Sequence, residues 1–160
     1  MKEEKMKKFN PEHIRAVAAT VNNCPYFKLL SAEIKSLGWG ESLLELEIQK
    51  KHLQPYGLVH GGVCASIIDA AAFWAVYAGF EDVVGLTTVE IKVNYLSPIS
   101  EGRLIATGKC IKAGRTICLA EASVHDGKGR LIAHGTSTLM VLESMKLEGQ
   151  KALPPKFTEG

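Results

Sequence analysis

The residues with the clearest potential for chemistry lie in the stretch "HLQPYGLVHGGVCASIIDAAAF". A turn of His60, Gly61 and Gly62 runs into an apolar segment with a single carboxylate, Asp69. If this turn begins a helix, its unpaired N–H groups and the helix dipole can hold a developing oxyanion. A carboxylate in apolar surroundings can be a base or a nucleophile, and the alternative is a partly buried aspartate capped by a backbone or hydroxyl donor. Together with Gln54, these residues predict a catalytic site.

The spacing between the turn and the carboxylate adds a geometric constraint. Asp69 lies eight residues after Gly61, which is roughly 12 Å along a helix axis at 1.5 Å per residue. One substrate carbonyl cannot contact both groups of a single chain. If the two groups cooperate, the carboxylate comes from a second copy whose helix runs antiparallel. A two-fold homodimer with two shared sites is therefore expected.

The elements that position these residues can be predicted from periodicity. A helix is predicted over 11–22, and extended runs are predicted over 27–37 and 42–48, separated by a glycine turn. The apolar run 63–80 is too long and too rich in alanine for a strand, so a helix is expected there. Alternating polar and apolar residues then predict four more strands, over 83–96, 103–113, 116–126 and 131–142.

This order predicts an α+β fold, in which a curved antiparallel sheet of about six strands wraps a long central helix and an N-terminal helix precedes them. Consecutive hairpins form a sheet with two faces, and one strongly apolar helix covers one of them. We expect a single domain over 11–142. Residues 1–10 are predicted to be a flexible N-terminal segment. Residues 143–160 are predicted to be a tail that is ordered only if something holds it down.

Composition excludes several classes of function. A length of 160 residues fits one domain with its own core. The net charge of +2 comes from scattered lysines and arginines, so no nucleic-acid partner is expected. The longest charge-free apolar stretch, 70–80, is shorter than the roughly 18 to 20 residues of a membrane-spanning helix. The N-terminus mixes acids with bases and is not a secretory signal, so a cytoplasmic location is expected.

The four cysteines form no metal-binding pattern, and we expect reduced thiols and no metal site. His60 and Cys64 are spaced i, i+4, which leaves a cysteine–histidine nucleophile as a weaker alternative. The other histidines are expected at surface or strand positions: His13, His52, His125 and His134. The apolar helix face formed by Phe73, Trp74, Val76 and Tyr77 predicts core or dimer packing, and part of it is a candidate lining for an acyl pocket.

Three segments carry a resemblance to a known family: "HLQPYGLVHGGVCASIIDAA", "TTVEIKVNYLSPISEG" and "HDGKGRLIAHGTSTLMV". They resemble the hotdog-fold acyl-CoA thioesterases of the phenylacetate-degradation (PaaI-like) group, in the same superfamily as the 4-hydroxybenzoyl-CoA thioesterases. The likeness covers about residues 25–142. Its most specific part is the H-G-G with an acid nine positions after the histidine.

The resemblance implies hydrolysis of an acyl- or aryl-CoA thioester to the free acid and CoA. Gly61 would then supply the N–H that polarises the thioester carbonyl, and His60 would shape the turn and hydrogen-bond near the thioester. Asp69 of the partner subunit would be nucleophile or general base, and Thr88 would help to place the attacking water. Gln54 departs from the asparagine usual in this group, so its role is open between holding the carbonyl and positioning water.

The resemblance also implies a homodimer with shared sites, expected to assemble as a dimer of dimers, and no cofactor beyond the CoA of the substrate. Gly62 is placed at the CoA, and Lys112, Arg115 and Arg130 lie near predicted turns that could meet its phosphates, although solvated turn residues are the alternative. Two other functions stay open. One is a hotdog-fold 3-hydroxyacyl dehydratase, and the other is a non-catalytic acyl-CoA binding module.

Overall fold

The computed structural model describes residues 8–158, which form three α-helices and eight β-strands. The helices are α1 Pro11–Asn22, α2 Pro25–Leu30 and α3 Gly61–Ala78. The strands are β1 Lys8–Phe9, β2 Ala32–Gly38, β3 Glu41–Glu47, β4 Leu86–Tyr95, β5 Arg103–Lys112, β6 Ile117–Asp126, β7 Leu131–Val141 and β8 Phe157–Thr158. The predicted N-terminal helix, central helix and six main strands are thus all present, with bounds shifted by a few residues.

A six-stranded antiparallel sheet in the order β2-β3-β5-β6-β7-β4 wraps around α3. The helix lies very close to the middle of the sheet. A Cβ added at Gly108 on β5 would lie 2.1 Å from the Ala71 carbonyl oxygen, and the Ser42 hydroxyl donates to that same oxygen at 2.6 Å. Small residues on both surfaces therefore fix the position of α3, and with it the positions of the glycine turn and Asp69.

By length and composition alone, α3 could cross a membrane. Most of the helix is buried inside the sheet, and Ile68, Ala71 and Ala75 have no exposed surface. This is the arrangement of a core helix.

The prediction of one extended run over 27–37 is wrong in its first part. Residues Pro25–Leu30 form α2, and the strand begins only at Ala32. Pro25 occupies the first turn, where its missing N–H is no loss, and Ser31 ends the helix in the left-handed conformation with φ 55°. The short helix places Phe27 in the core beside α3.

The C-terminal segment predicted as a tail is held against the domain at three points. Strand β8 pairs with β1. Lys156 is only 6% exposed, and its ammonium group donates to the carbonyls of Tyr77, Phe80 and Asp82 at 2.6, 2.6 and 3.1 Å. His13 on α1 bonds the Pro154 carbonyl and the Tyr77 hydroxyl. Lys156 therefore satisfies carbonyl groups at the C-terminal end of α3, where the helix dipole favours a cation.

The predicted flexible N-terminal segment takes part in the same assembly. Asn10 accepts the Glu12 N–H as the N-cap of α1 and donates to the Pro155 carbonyl. Residues 8–10 are thus ordered by the C-terminal segment. The rest of that predicted segment, residues 1–7, lies outside the described residues.

Candidate active site

The helix α3 begins at the glycine turn, and the N–H groups of this turn differ in whether they are hydrogen-bonded. His60 is the N-cap, and its Nδ1 accepts the Gly62 N–H at 2.8 Å. The Val63 N–H is bonded to the His60 carbonyl at 2.9 Å. Within residues 8–158, no acceptor takes the N–H of Gly61. Gly61 therefore presents an available donor at the positive end of the helix dipole, and His60 caps the turn.

A cavity of about 390 Å³ borders this donor, and both Gln54 and Gly61 line it. The Gln54 side-chain oxygen accepts the Tyr56 N–H, while its backbone N–H bonds the Leu58 carbonyl at 2.8 Å. The oxygen is thus occupied in a tight turn. The amide NH₂ group is left as the donor that Gln54 can offer to a ligand.

Tyr95, the last residue of β4, has the ring that a side chain at position 61 would meet. A Cβ added at Gly61 would lie 3.1 Å from the Tyr95 ring. The absence of a side chain at position 61 therefore keeps the space in front of the free N–H open.

Asp69 lies half-buried on α3, and hydroxyl groups from two strands reach its carboxylate. Thr88 on β4 donates to Oδ1 at 2.8 Å, and Ser137 on β7 lies 3.5 Å from the same oxygen. The other oxygen, Oδ2, accepts no hydrogen bond within residues 8–158. Thr88 thus orients the carboxylate and leaves one oxygen available.

Asp69 and Gly61 face different spaces within one chain. Asp69 lines a second cavity, of about 260 Å³, between α2 and α3. That cavity shares no lining residue with the cavity at Gly61. The separation agrees with the axial distance expected from the sequence.

The predicted CoA-binding cations are also separated. Arg130 lies at the β6–β7 turn, lining a cavity of about 640 Å³ that adjoins the Gly61 cavity along Leu58, Pro98 and Ile99. Lys112 and Arg115 flank the β5–β6 turn at the other end of β6, which is roughly 30 Å away at about 3.3 Å per residue. Within one chain, these two groups of cations cannot meet the same phosphate.

Arg130 is held by its neighbours. Its Nε donates to Asp126 at 3.1 Å and its terminal nitrogen to the Pro98 carbonyl at 3.0 Å. Hydrogen bonding from the Arg130 backbone N–H, followed by that from the Lys128 N–H, lowers the pKa of Asp126. The guanidinium is therefore fixed at the rim of its cavity, with part of its charge balanced by Asp126.

Cys64 does not have the properties of a nucleophile. Its side chain is 4% exposed, and burial raises the pKa of its thiol to about 11. The thiolate is the reactive form of cysteine, and the His60 Nδ1 is already bonded to Gly62. These contacts weigh against the cysteine–histidine alternative.

Sequence reasoning missed two residues that support the site. The sequence predicts Ser137 only as part of a strand, whereas in the structure it occupies a buried position in the alternation of β7. His52 was expected at the surface or in a strand but is buried. The His52 Nδ1 accepts the Gln49 N–H, so the Nε2 carries the proton and donates to the Leu30 carbonyl. The backbone carbonyl of His52 accepts the His60 N–H at 2.8 Å. His52 thus links the glycine turn to the end of α2, and burial lowers its pKa.

Comparison with known proteins gives a consistent picture. The family model described as Thioesterase superfamily matches residues 56–133. A "Putative esterase" of Saccharolobus solfataricus is 30% identical over 124 residues, which cover 78% of this chain and 82% of that protein. The 1,4-dihydroxy-2-naphthoyl-CoA hydrolase of Listeria monocytogenes is 27% identical over 117 residues, covering 73% of this chain and 95% of that one.

Among solved structures, a thioesterase from Haemophilus influenzae superposes with a TM-score of 0.76, covering 88% of this chain and 95% of that one. At 21% identity this likeness concerns the fold. The predicted hotdog fold is thereby confirmed. The narrower PaaI-like group stays a prediction.

Proposed function

Because this chain belongs to the thioesterase superfamily, we propose that it is an acyl-CoA thioesterase, which hydrolyses the thioester of an acyl- or aryl-CoA to the free acid and CoA. The observation that carries this proposal is the carboxylate of Asp69, held by Thr88 on the wall of an apolar cavity with one oxygen free. The Listeria relative, named as a CoA-ester hydrolase, supports a CoA thioester as the substrate. We also propose that the protein acts in the cytoplasm and that it belongs to the PaaI-like group of the superfamily.

The active site is proposed to form between two copies of the chain. Strand β4 is an outer strand of the sheet and exposes the apolar side chains of Val89, Ile91 and Tyr95. An open, apolar strand edge of this kind favours pairing with another strand. These features support β4 as the dimer contact.

Antiparallel pairing of two β4 strands about a two-fold axis at Ile91 has a direct consequence for the site. The Thr88 end of one strand would then lie opposite the Tyr95 end of the second copy, since the two ends lie on opposite sides of Ile91. In each chain Thr88 donates to Asp69, and the Tyr95 ring lies beside Gly61, where a Cβ added at Gly61 would meet it. Pairing in this register would therefore bring the carboxylate of one subunit towards the free N–H of the other.

In the proposed reaction, the Gly61 N–H polarises the thioester carbonyl, and the Gln54 amide is placed to donate beside it. Asp69 of the partner subunit then acts by one of two routes. It attacks the carbonyl carbon and expels CoA as the thiolate, giving a mixed anhydride that water hydrolyses. Alternatively, it takes a proton from water, the resulting hydroxide adds to the carbonyl carbon, and the C–S bond breaks as CoA leaves. Both routes need the same carboxylate and the same N–H.

The CoA portion is proposed to run from the Gly61 cavity into the adjoining cavity lined by Lys128 and Arg130. These cations suit phosphate groups. Gly62 contributes through the turn, since its own N–H is bonded to His60. Lys112 and Arg115 would have to reach the same CoA from another subunit, as in the expected dimer or dimer of dimers.

Free-thiol release from a panel of short, long and aromatic acyl-CoAs tests the proposal, with Asp69→Asn measured beside the wild type. Asparagine keeps the size of the side chain and an oxygen that accepts from Thr88. We expect turnover to fall about 10²- to 10⁴-fold while substrate binding is largely kept. If the wild type binds acyl-CoA without releasing thiol, the binding-module function replaces this one.

A further inference from the structure

The cavity beside Asp69 is a second feature of the molecule, separate from the Gly61 cavity. It has a volume of about 260 Å³ and lies between α2 and α3. Helix α2 contributes Tyr26, Phe27 and Leu30, while α3 contributes Ile67, Phe73 and Trp74. Phe27, Ile67 and Trp74 are themselves buried, so the cavity has a closed, apolar floor.

We propose that this cavity binds the acyl group of the substrate, that it takes compact and uncharged acyl groups, and that Tyr26 is the residue that limits their length. The proposal rests on the thioester hydrolysis proposed above, because Asp69 on the cavity wall is then the reacting carboxylate. The acyl group would occupy the subunit that supplies Asp69. The CoA portion would lie on the subunit that supplies Gly61.

The size and lining of the cavity favour a compact apolar group. A cavity of about 150 Å³ lined by apolar side chains is already large enough for benzene, so this one takes a single ring with a short linker, or a short alkyl chain. Four of its lining side chains are aromatic: Tyr26, Phe27, Phe73 and Trp74. The rings of Phe73 and Trp74 meet edge to face, with centroids 5.2 Å apart. Aromatic side chains in this geometry favour a further ring placed among them.

The charges around the cavity disfavour acyl groups that carry a negative charge. No lysine, arginine or histidine is among its lining residues, and Asp69 is their single carboxylate. An acyl group that ends in a carboxylate would therefore bring a second negative charge next to Asp69, with apolar walls and no counter-ion. Monothioesters of dicarboxylic acids should be rejected.

Tyr26 closes the outer side of the cavity. Its hydroxyl lies 2.6 Å from the Ser66 Oγ, and Ser66 itself donates to the Gly62 carbonyl at 2.8 Å. The Tyr26 hydroxyl must therefore be the donor to Ser66, which fixes the ring against α3. Tyr26 lines the cavity and is also 54% exposed, so its ring stands between the cavity and solvent. Removing the ring would open a path for longer chains.

The test compares kcat/KM for benzoyl-CoA, hexanoyl-CoA, adipoyl-CoA and dodecanoyl-CoA. Hexanoyl and adipoyl form a matched pair that differs in the terminal carboxylate. The variants are Tyr26→Ala, which removes the ring, and Tyr26→Phe, which keeps the ring but not its hydrogen bond. Leu29→Ala is the control, because Leu29 lies on the same helix, is 64% exposed and does not line the cavity.

In the wild type, we expect kcat/KM for hexanoyl-CoA to be about a hundredfold or more above that for adipoyl-CoA. We expect kcat/KM for benzoyl-CoA to be about tenfold or more above that for dodecanoyl-CoA. Tyr26→Ala should raise the ratio of kcat/KM for dodecanoyl-CoA to kcat/KM for benzoyl-CoA about tenfold or more. Tyr26→Phe should raise this ratio less, and Leu29→Ala should leave the ratio unchanged. Two outcomes would overturn the acyl-pocket assignment alone, provided that thiol is released. In the first, Tyr26→Ala leaves the ratio of dodecanoyl-CoA to benzoyl-CoA kcat/KM unchanged. In the second, the wild type uses adipoyl-CoA as well as hexanoyl-CoA. Thiol release from none of the four would overturn the proposed function itself.

Discussion

The free N–H of Gly61 can be deleted without disturbing the helix that carries it. Replacing Gly61 with proline removes this donor, for which residues 8–158 supply no acceptor. Proline suits the first position of a helix, where no intrahelical hydrogen bond is lost. The preceding residue must be extended for proline to follow, and His60 has φ −65° and ψ 135°. The Gly61→Pro variant should therefore fold.

The expected loss of activity follows from the role of a single oxyanion donor. Removing one such donor lowers kcat by about 10²- to 10³-fold, which corresponds to about 2.7 to 4 kcal/mol. The matched control is Gly61→Ala, because it places a Cβ at the same 3.1 Å from the Tyr95 ring but keeps the N–H. Comparing the two variants separates the replacement of the N–H from the crowding of Tyr95 by a Cβ.

The assay is thiol release at saturating acyl-CoA, together with a thermal unfolding curve for each variant. A folded Gly61→Pro protein that turns over substrate as fast as Gly61→Ala would refute the assignment of this N–H. Loss of folding in Gly61→Pro alone would contradict the assignment of position 61 to the start of the helix.

The remaining predictions concern the support of the site and the C-terminal segment. Thr88→Val should lower kcat about tenfold, because it removes the hydrogen bond to Asp69 and a hydrogen bond to a charged group contributes about 1.5 kcal/mol or more. Thr88→Ser keeps the hydroxyl and should have a kcat close to that of the wild type. Equal kcat for the wild type and both variants would argue against a role for the Thr88–Asp69 hydrogen bond. Lys156→Ala should lower the free energy of unfolding in urea by about 2 to 3 kcal/mol, since three carbonyls lose their donor, while the exposed Lys151→Ala should have little effect. Burial lowers the pKa of His52 in the folded chain below its ordinary value of 6.5. At acidic pH the unfolded chain therefore binds more protons at this position than the folded chain does. The free energy of unfolding should fall as the pH drops below 6.5. A smaller fall in His52→Gln would identify this residue as a cause.

Periodicity made much of the fold predictable. The apolar spacing of α1, the long alanine-rich run of α3 and the alternation in β5 to β7 each specify one type of element, so these were found from the sequence. Helix α2 was missed because six residues are too few to show a helical period, although Pro25 marked its start. The C-terminal segment was missed for a related reason. Lys156 is held by three carbonyl contacts, and such contacts leave no repeating pattern in a sequence.

The candidate site was predictable where chemistry conflicts with surroundings. Asp69 stands out because a carboxylate interrupts an apolar helix, and Gly61 because two glycines precede that helix. The partners of these residues depend on tertiary structure. Nothing in the local sequence of β7 places Ser137 near Asp69, or His52 beneath the glycine turn. The proposed acyl cavity likewise requires α2, which the sequence did not reveal.

The central proposal is that each active site takes its N–H from one subunit and its carboxylate from the other. Mixing subunits tests it most directly: Gly61→Pro and Asp69→Asn chains are unfolded together and refolded at equal amounts. Each variant alone should be nearly inactive. Random pairing makes about half of the dimers mixed, and each mixed dimer contains one intact site out of two, so about a quarter of wild-type activity should return. Activity no higher than that of the separate variants, despite mixed dimers being present, would contradict a shared site.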